Sequence, residues 1–291
     1  MAICDRAVWI ATLVVTALIA PQLVAEEKFS PPQTARREAS FDLNWKFFKE
    51  DKSKAEGAEA ATFDDSAWQI ISMPHTYNDV DSFRVLISHG GGDRGTWKGT
   101  AWYRKHFKLP TDDKGKRVLI EFEGMRQAGE IFLNGKTVGL SENGITPYGV
   151  DITDGVKFGD DENVLAVHID NRGDYAERAT GARFEWNVND FNPSYGGINR
   201  HVWLHVTGSI FQTLPIYDGL KTTGVYIYPT NFSTANHTAD ITVESQVHNA
   251  SADRASVDLS AVIVDHDGNI CAKMSADTLD MVAGEKSTIE A

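Results

Sequence analysis

The chain has 291 residues, a net charge of −13 and 42% hydrophobic residues. So acidic a balance repels phosphate backbones and anionic lipid surfaces, which argues against nucleic acid or membrane as a partner. Of the two cysteines, Cys4 falls in the N-terminal leader and Cys271 stands alone after it. No intrachain disulfide follows from that arrangement, so the fold must rest on apolar burial.

Arg6 opens the chain with positive charge, Ala7 to Ala20 is almost uncharged, and Leu23-Val24-Ala25 precedes Glu26-Glu27. That order reads as a secretory signal peptide over residues 1–25, and hence a secreted or periplasmic protein. The apolar run falls short of the ~20 residues that a membrane span needs. Residues 26–40 are polar and proline-bearing and read as an extended leader.

Strand-like alternation then takes over. Val118, Ile120 and Phe122 share one face, and Leu165, Val167 and Ile169 alternate, as do Val202, Leu204 and Val206. Asn134-Gly135 between two such runs predicts a tight hairpin, because both residues must take positive φ. Helical signal is confined to one capped turn at Asp64–Trp68. Trp45, Trp68, Trp102 and Trp203 read as core residues, and His75 as a turn residue. Short strands between Gly, Asn and Asp turns predict an all-β sandwich or jelly roll over residues 41–212.

A second set of strands follows Leu214-Pro215, with a turn at Asp265-His266-Asp267-Gly268-Asn269. It reads as an immunoglobulin-like sandwich over 213–291, although about 75 residues stand where such a domain takes ~100. Ile289-Glu290-Ala291 shows no closing strand, so this second sandwich is expected to be incomplete.

Roughly thirty residues from Asn171 to His201 separate two strands, and loops of that length in compact domains are functional or disordered. Phe184, Trp186, Phe191 and Tyr195 make this one too aromatic for disorder.

Six segments in order carry a family resemblance. Phe41-Asp42-Leu43-Asn44-Trp45 and Trp68 with Pro74-His75 come first, followed by Trp102-Tyr103-Arg104-Lys105. Phe122-Glu123-Gly124 with Leu133-Asn134-Gly135-Lys136, Asn163–Val167 with Asp170-Asn171, and Gly196-Gly197-Ile198-Asn199-Arg200 complete the set. Together they resemble the N-terminal part of glycoside hydrolase family 2, the β-galactosidase/β-glucuronidase family. The resemblance implies a jelly-roll (galactose-binding-like) β-sandwich followed by the immunoglobulin-like one. It also implies a retaining exo-β-glycosidase, of β-galactosidase type, as the parent enzyme.

In that family a (β/α)₈ barrel supplies both catalytic glutamates, the acid/base standing in an Asn-Glu dipeptide. This chain holds neither an Asn-Glu dipeptide nor the ~250 residues of alternating strand and helix that a barrel needs. Catalytic residues, metal ligands and cofactors are therefore expected to be none, and the chain alone inactive. The acidic clusters Asp79/Asp81 and Asp160-Asp161-Glu162 sit in solvated turns. His201 and His205 lie ~13 Å apart along a strand, too far for one metal.

The resemblance points to Asp190, with Asn189, as residues that meet sugar hydroxyls, a β-galactoside being the expected partner once a barrel completes the site. Turn capping is the plainer role for Asp190. Trp97, after the glycine-rich 90–95 loop, is either an aromatic platform or a packing residue. A free-standing carbohydrate-binding module is the alternative function, and the oligomeric state stays open.

Overall fold

The computed structural model describes residues 28–49, 55–77, 99–183 and 196–291. They belong to two compact units, residues 28–31 with 262–273 and residues 32–261 with 274–291. In the smaller unit the expected turn at 265–269 closes through Asp265. Its carboxylate accepts from the backbone of Asp267 and Asn269 at 2.9 and 2.8 Å. Gly268 completes the turn at φ +84°, and its carbonyl accepts from Phe29 N at 2.9 Å.

The larger unit opens with two antiparallel sheets. One orders β1 (Arg37–Ser40), β12 (Val202–Thr207), β6 (Arg117–Phe122) and β9 (Tyr148–Asp151). The other orders β3 (Gln69–Ile71), β2 (Trp45–Lys49), β5 (Thr100–Phe107), β10 (Asn163–Asp170), β7 (Ala128–Leu133) and β8 (Lys136–Ser141). The main core joins Val118, Ile120 and Phe122 of β6 and Val202, Leu204 and Val206 of β12 to Leu165, Val167 and Ile169 of β10. These are the alternating sets read from the sequence, and each such side chain contributes about 1.5–3 kcal/mol on burial. The hairpin forms as expected, with Asn134 at φ +51° and Gly135 at φ +86° joining β7 to β8.

Strand β5 has two apolar sides. Tyr103 faces the main core, whereas Trp102 packs on the opposite face with Trp68, Ala55, Ala58 and Ala166. A segment from Ala55 to Trp68 covers that face, and Arg104 holds it there. Its fully buried guanidinium donates to Asp65 at 2.7 Å and to the carbonyls of Ala58 and Ala60. A buried cation is tolerated only when paired and hydrogen-bonded, and here it is both. The expected capped turn lies in the same segment, with Ser66 N on Asp64 Oδ1 and Trp68 N on Asp65 O, each at 3.0 Å. Trp203 departs from expectation. Because Val202, Leu204 and Val206 point inward, the period of two turns Trp203 outward, where its indole N–H meets Glu123 at 2.9 Å.

Later strands form separate sheets. The strands β13 (Ile210–Gln212), β15 (Thr238–Asn249) and β14 (Val225–Ser233) lie in order, and β20 (Lys286–Glu290) also pairs with β15. Two-stranded pairs join β16 (Ala255–Val257) to β19 (Leu279–Met281) and β17 (Ser260–Val264) to β18 (Ile270–Ser275). The residues read as lacking a closing strand thus form one. Ile289 buries against Val247 and Met281, a long-range contact that a short polar stretch does not advertise.

Asp65 also faces His106, whose Nε2 lies 2.8 Å from it while Nδ1 lies 3.0 Å from Glu162. Burial works against both charges. Hydrogen bonds from His106 and Arg104 nonetheless hold the Asp65 carboxyl below its usual range, and the two carboxylates raise His106. Asp65→Asn is expected to lower unfolding free energy by about 3 kcal/mol, because it strips a buried cation of its counter-charge. Urea titration measures this as a lower midpoint at unchanged slope. The contribution of His106 should be complete below the ordinary histidine pKa of about 6.5 and fade as pH rises through the higher folded value. His106→Gln should flatten that decline.

Candidate functional site

Asn189, Asp190 and Trp97 lie outside the described residues, as do Asp79 and Asp81. The structure does describe where the segments bearing them leave and rejoin the sandwich. Tyr77 N donates to Gly196 O at 3.0 Å, and Asn171 N donates to Gly99 O at 2.9 Å. The Tyr77 hydroxyl also reaches Gly99 O at 3.4 Å, and burial pushes its pKa well above the ordinary phenol value, keeping it a donor. The loop that carries Trp97 and the loop that carries Asn189 and Asp190 therefore share their stems. Neither spacing nor alternation in the sequence puts those stems together.

Two further short strands build the frame, β4 (His75–Thr76) and β11 (Gly197–Ile198), which pair antiparallel. Gly197 and Arg126 exchange both backbone hydrogen bonds at 2.9 Å. His75, read from sequence as a turn residue, instead stands in β4, and its Nδ1 sits 2.9 Å from the Tyr103 hydroxyl. A Cβ on Gly197 would stand 2.5 Å from His75 O and 2.6 Å from the Tyr103 hydroxyl, and φ is +134°. At Gly196 a Cβ would collide with the Tyr77 ring. The Pro-His, Trp-Tyr-Arg and Gly-Gly-Ile segments thus converge on one point.

The outgoing arm of the second loop is tied by charge. Arg172 makes a forked pair with Asp170. Glu142 accepts from the Tyr175 hydroxyl at 2.5 Å and from Arg178 N at 2.9 Å, while Arg178 pairs with Glu130 at 2.5 Å. Burial and then the Glu142 charge push the Tyr175 hydroxyl well above its ordinary value, so it stays neutral and donating. Glu130, Asp170, Arg172, Tyr175 and Arg178 border a cavity of about 350 Å³ together with His168, whose ring lies tilted against Trp102 with the centroids 4.6 Å apart. Sequence reading missed the contacts among Glu130, Glu142, Tyr175 and Arg178, since these partners stand 33 to 48 residues apart with no periodic signal.

Chemically, the arrangement holds loops rather than moves protons. Glu130 and Glu142 are both occupied by donors. Asp160, Asp161 and Glu162 lie exposed, and Glu162 serves His106. His201 meets Asp42 at 2.8 Å, and the buried His205 meets Glu121 at 2.8 Å, so both pack against carboxylates. Gly197→Ala should destabilise the chain by roughly 3 kcal/mol, from strain plus displacement of Tyr103 and His75. A thermal melt against wild type measures it, and an unchanged midpoint would contradict the close approach described above.

The family model described as the glycosyl hydrolase 2 galactose-binding domain-like family matches residues 94–203. A β-glucuronidase of Formosa agariphila is 44% identical over 236 residues, 80% of this chain and 23% of that protein. A β-galactosidase of Thermoanaerobacter pseudethanolicus is 32% identical over 167 residues, 57% of this chain and 20% of that protein. Among solved structures, a β-glucuronidase from glycoside hydrolase family 2 superposes with a TM-score of 0.79 at 38% identity, covering 90% of this chain and 27% of that one. The chain thus spans about a quarter of the length of such relatives. By its galactose-binding-like sandwich and its likeness to these proteins, it belongs to glycoside hydrolase family 2.

Proposed function

We propose that this chain is a non-catalytic accessory module of a retaining exo-β-glycosidase, exported by residues 1–25 and inactive without a catalytic barrel. The observation that carries this reading is the shared stem of the two loops. Backbone hydrogen bonds at that end of the sandwich tie the two stems together, where a sugar-facing loop needs a fixed base. Retaining hydrolysis needs two carboxyls ~5–5.5 Å apart, one as acid/base and one as nucleophile. That pair belongs to the barrel. The task of the module is to bring Asp190, flanked by Asn189 and with Trp97 from the neighbouring loop, to the sugar. A carboxylate suits sugar hydroxyls because charge-assisted hydrogen bonds are the stronger kind.

The sugar has two readings. A β-galactoside is the expectation from sequence, and relatives named β-galactosidase support it. A β-glucuronide is supported by the relative at 44% identity and the structure at 38%.

Assayed alone on aryl β-galactoside, β-glucuronide and β-mannoside, the chain should show no turnover above a heat-killed control. Turnover by protein free of host enzymes would overturn the accessory role. In a parent that includes the barrel, Asp190→Asn should preserve folding and lose ~1.5–3 kcal/mol of hydrogen bonding. That corresponds to roughly ten- to a hundredfold in kcat/KM, and an unchanged value would reduce Asp190 to a turn residue. The preferred aryl glycoside of the same parent decides between the two sugars.

A further inference from the structure

Leu214 and Ile216 bury against Leu119, and the same alternation turns Pro215 and Tyr217 outward, leaving Tyr217 81% exposed. The backbone around that tyrosine is fixed. Thr222 donates its hydroxyl to Leu214 O at 2.7 Å and its N–H to Ile216 O at 3.1 Å, and Lys221 N reaches Tyr217 O at 3.0 Å. Gly149 N of β9 donates to Asp218 O at 3.1 Å. A Cβ on Gly219 would stand 2.1 Å from Gly149 O, so this close seat on β9 depends on glycine. Tyr217 is therefore held out to solvent from a clamped base.

Tyr217 and Pro215 line a cavity of about 630 Å³ together with Asn143, Glu142, Glu177 and Asp218. Among the described residues no Lys, Arg or His takes part in that lining. Asn143 spends its side-chain oxygen on Ile145 N at 3.2 Å and Thr146 N at 3.1 Å, which leaves its amide NH2 without a partner among the described residues. Glu142 takes Tyr175 and Arg178 N both on Oε1, and Glu177 takes the Thr180 hydroxyl on Oε2. Each glutamate thus keeps a second oxygen free to accept. An aromatic face beside carboxylate acceptors and an amide donor matches a pyranose. Its C–H face lies on the ring, while its hydroxyls donate to carboxylates in charge-assisted bonds and accept from the amide. A phosphate or sugar acid fits poorly, since no cation of the lining answers its charge. A wholly apolar ligand would desolvate the carboxylates without pairing them.

We propose that this cavity binds a neutral sugar, with Tyr217 as stacking platform, Asn143 as donor and Glu142, Glu177 and Asp218 as acceptors. The volume falls within the ~300–1,000 Å³ of small-molecule pockets. The site uses none of Asp190, Asn189 and Trp97, so it stands apart from the sugar contact proposed above. A glycan held here by one residue raises the local concentration of its others, as any second linked site does.

Calorimetric titration of the full chain with methyl β-D-galactopyranoside, lactose, cellobiose and D-glucuronate tests this. At least one neutral sugar should bind saturably at millimolar concentration or below, and glucuronate should bind about tenfold more weakly than that sugar. Tyr217→Ala should weaken the neutral sugar about tenfold or more, whereas Tyr217→Trp, which keeps an aromatic face, should retain it. Both variants should melt like wild type, because the ring they replace is exposed. If no neutral sugar binds, or if glucuronate binds as tightly as the best of them, the site is not there. Binding that Tyr217→Ala leaves unchanged also overturns the proposal, since a sugar held by the loop of Asp190 would behave that way. Should Tyr217→Ala fail to fold, the Tyr217 ring resonances of the wild-type chain decide. They move on saturation if the proposal holds, and binding that leaves them in place contradicts it.

Discussion

The backbone at Gly197 passes between His75 O and the Tyr103 hydroxyl with no room for a side chain, at a φ that only glycine adopts without strain. Most of the loop-bearing end of the sandwich depends on this approach. It lets β11 pair with β4, lets Gly197 trade both backbone hydrogen bonds with Arg126, and brings Gly196 O to Tyr77 N. Tyr77 in turn reaches Gly99, which accepts from Asn171. One close contact thereby sets where two loops leave the fold.

Tyr103 can hold that point because β5 is fastened on its other face. Alternation along the strand sends Tyr103 into the core and Arg104 out under the 55–68 segment, where the guanidinium binds Asp65 and backbone carbonyls. Removing the segment would leave a charge without partners, so cover and sheet are mutually dependent. A flexible cover would let β5 shift, and a shift in β5 would move the Tyr103 hydroxyl. The buried ion pair is more valuable for this fixed register than for net stability, since such pairs roughly balance their own desolvation.

How much of this was legible in the sequence follows from the range of each interaction. Alternation in β6, β10 and β12 needs only near neighbours, and it named the core residues in advance. Asn134-Gly135 announced its hairpin because positive φ at both positions is a local demand. The partner of Arg104 stands 39 residues away, and nothing in either segment marks the other. Strand β20 was invisible for the same reason, its burial being supplied by Val247 and Met281. Trp203 shows a different limit: composition marked it as core, while the period of its own strand turned it outward. Of the candidate site, the family resemblance named Asp190 with Asn189, and the glycine-rich stretch before it marked Trp97, but the joining of their stems came only with the fold.

A sandwich built this way suits an accessory module. Among the described residues, the carboxylates of Glu130, Glu142 and Asp170 are engaged by arginine, tyrosine or backbone donors, so they fix geometry. The central claim is that the loop stems are as rigid as the core. Native-state hydrogen exchange of the amides of Tyr77, Arg126, Asn171 and Gly197 measures that directly. The account predicts exchange only through global unfolding, with the same opening free energy as core amides of β10. Exchange of these four amides through local opening, several kcal/mol below the global value, would contradict it.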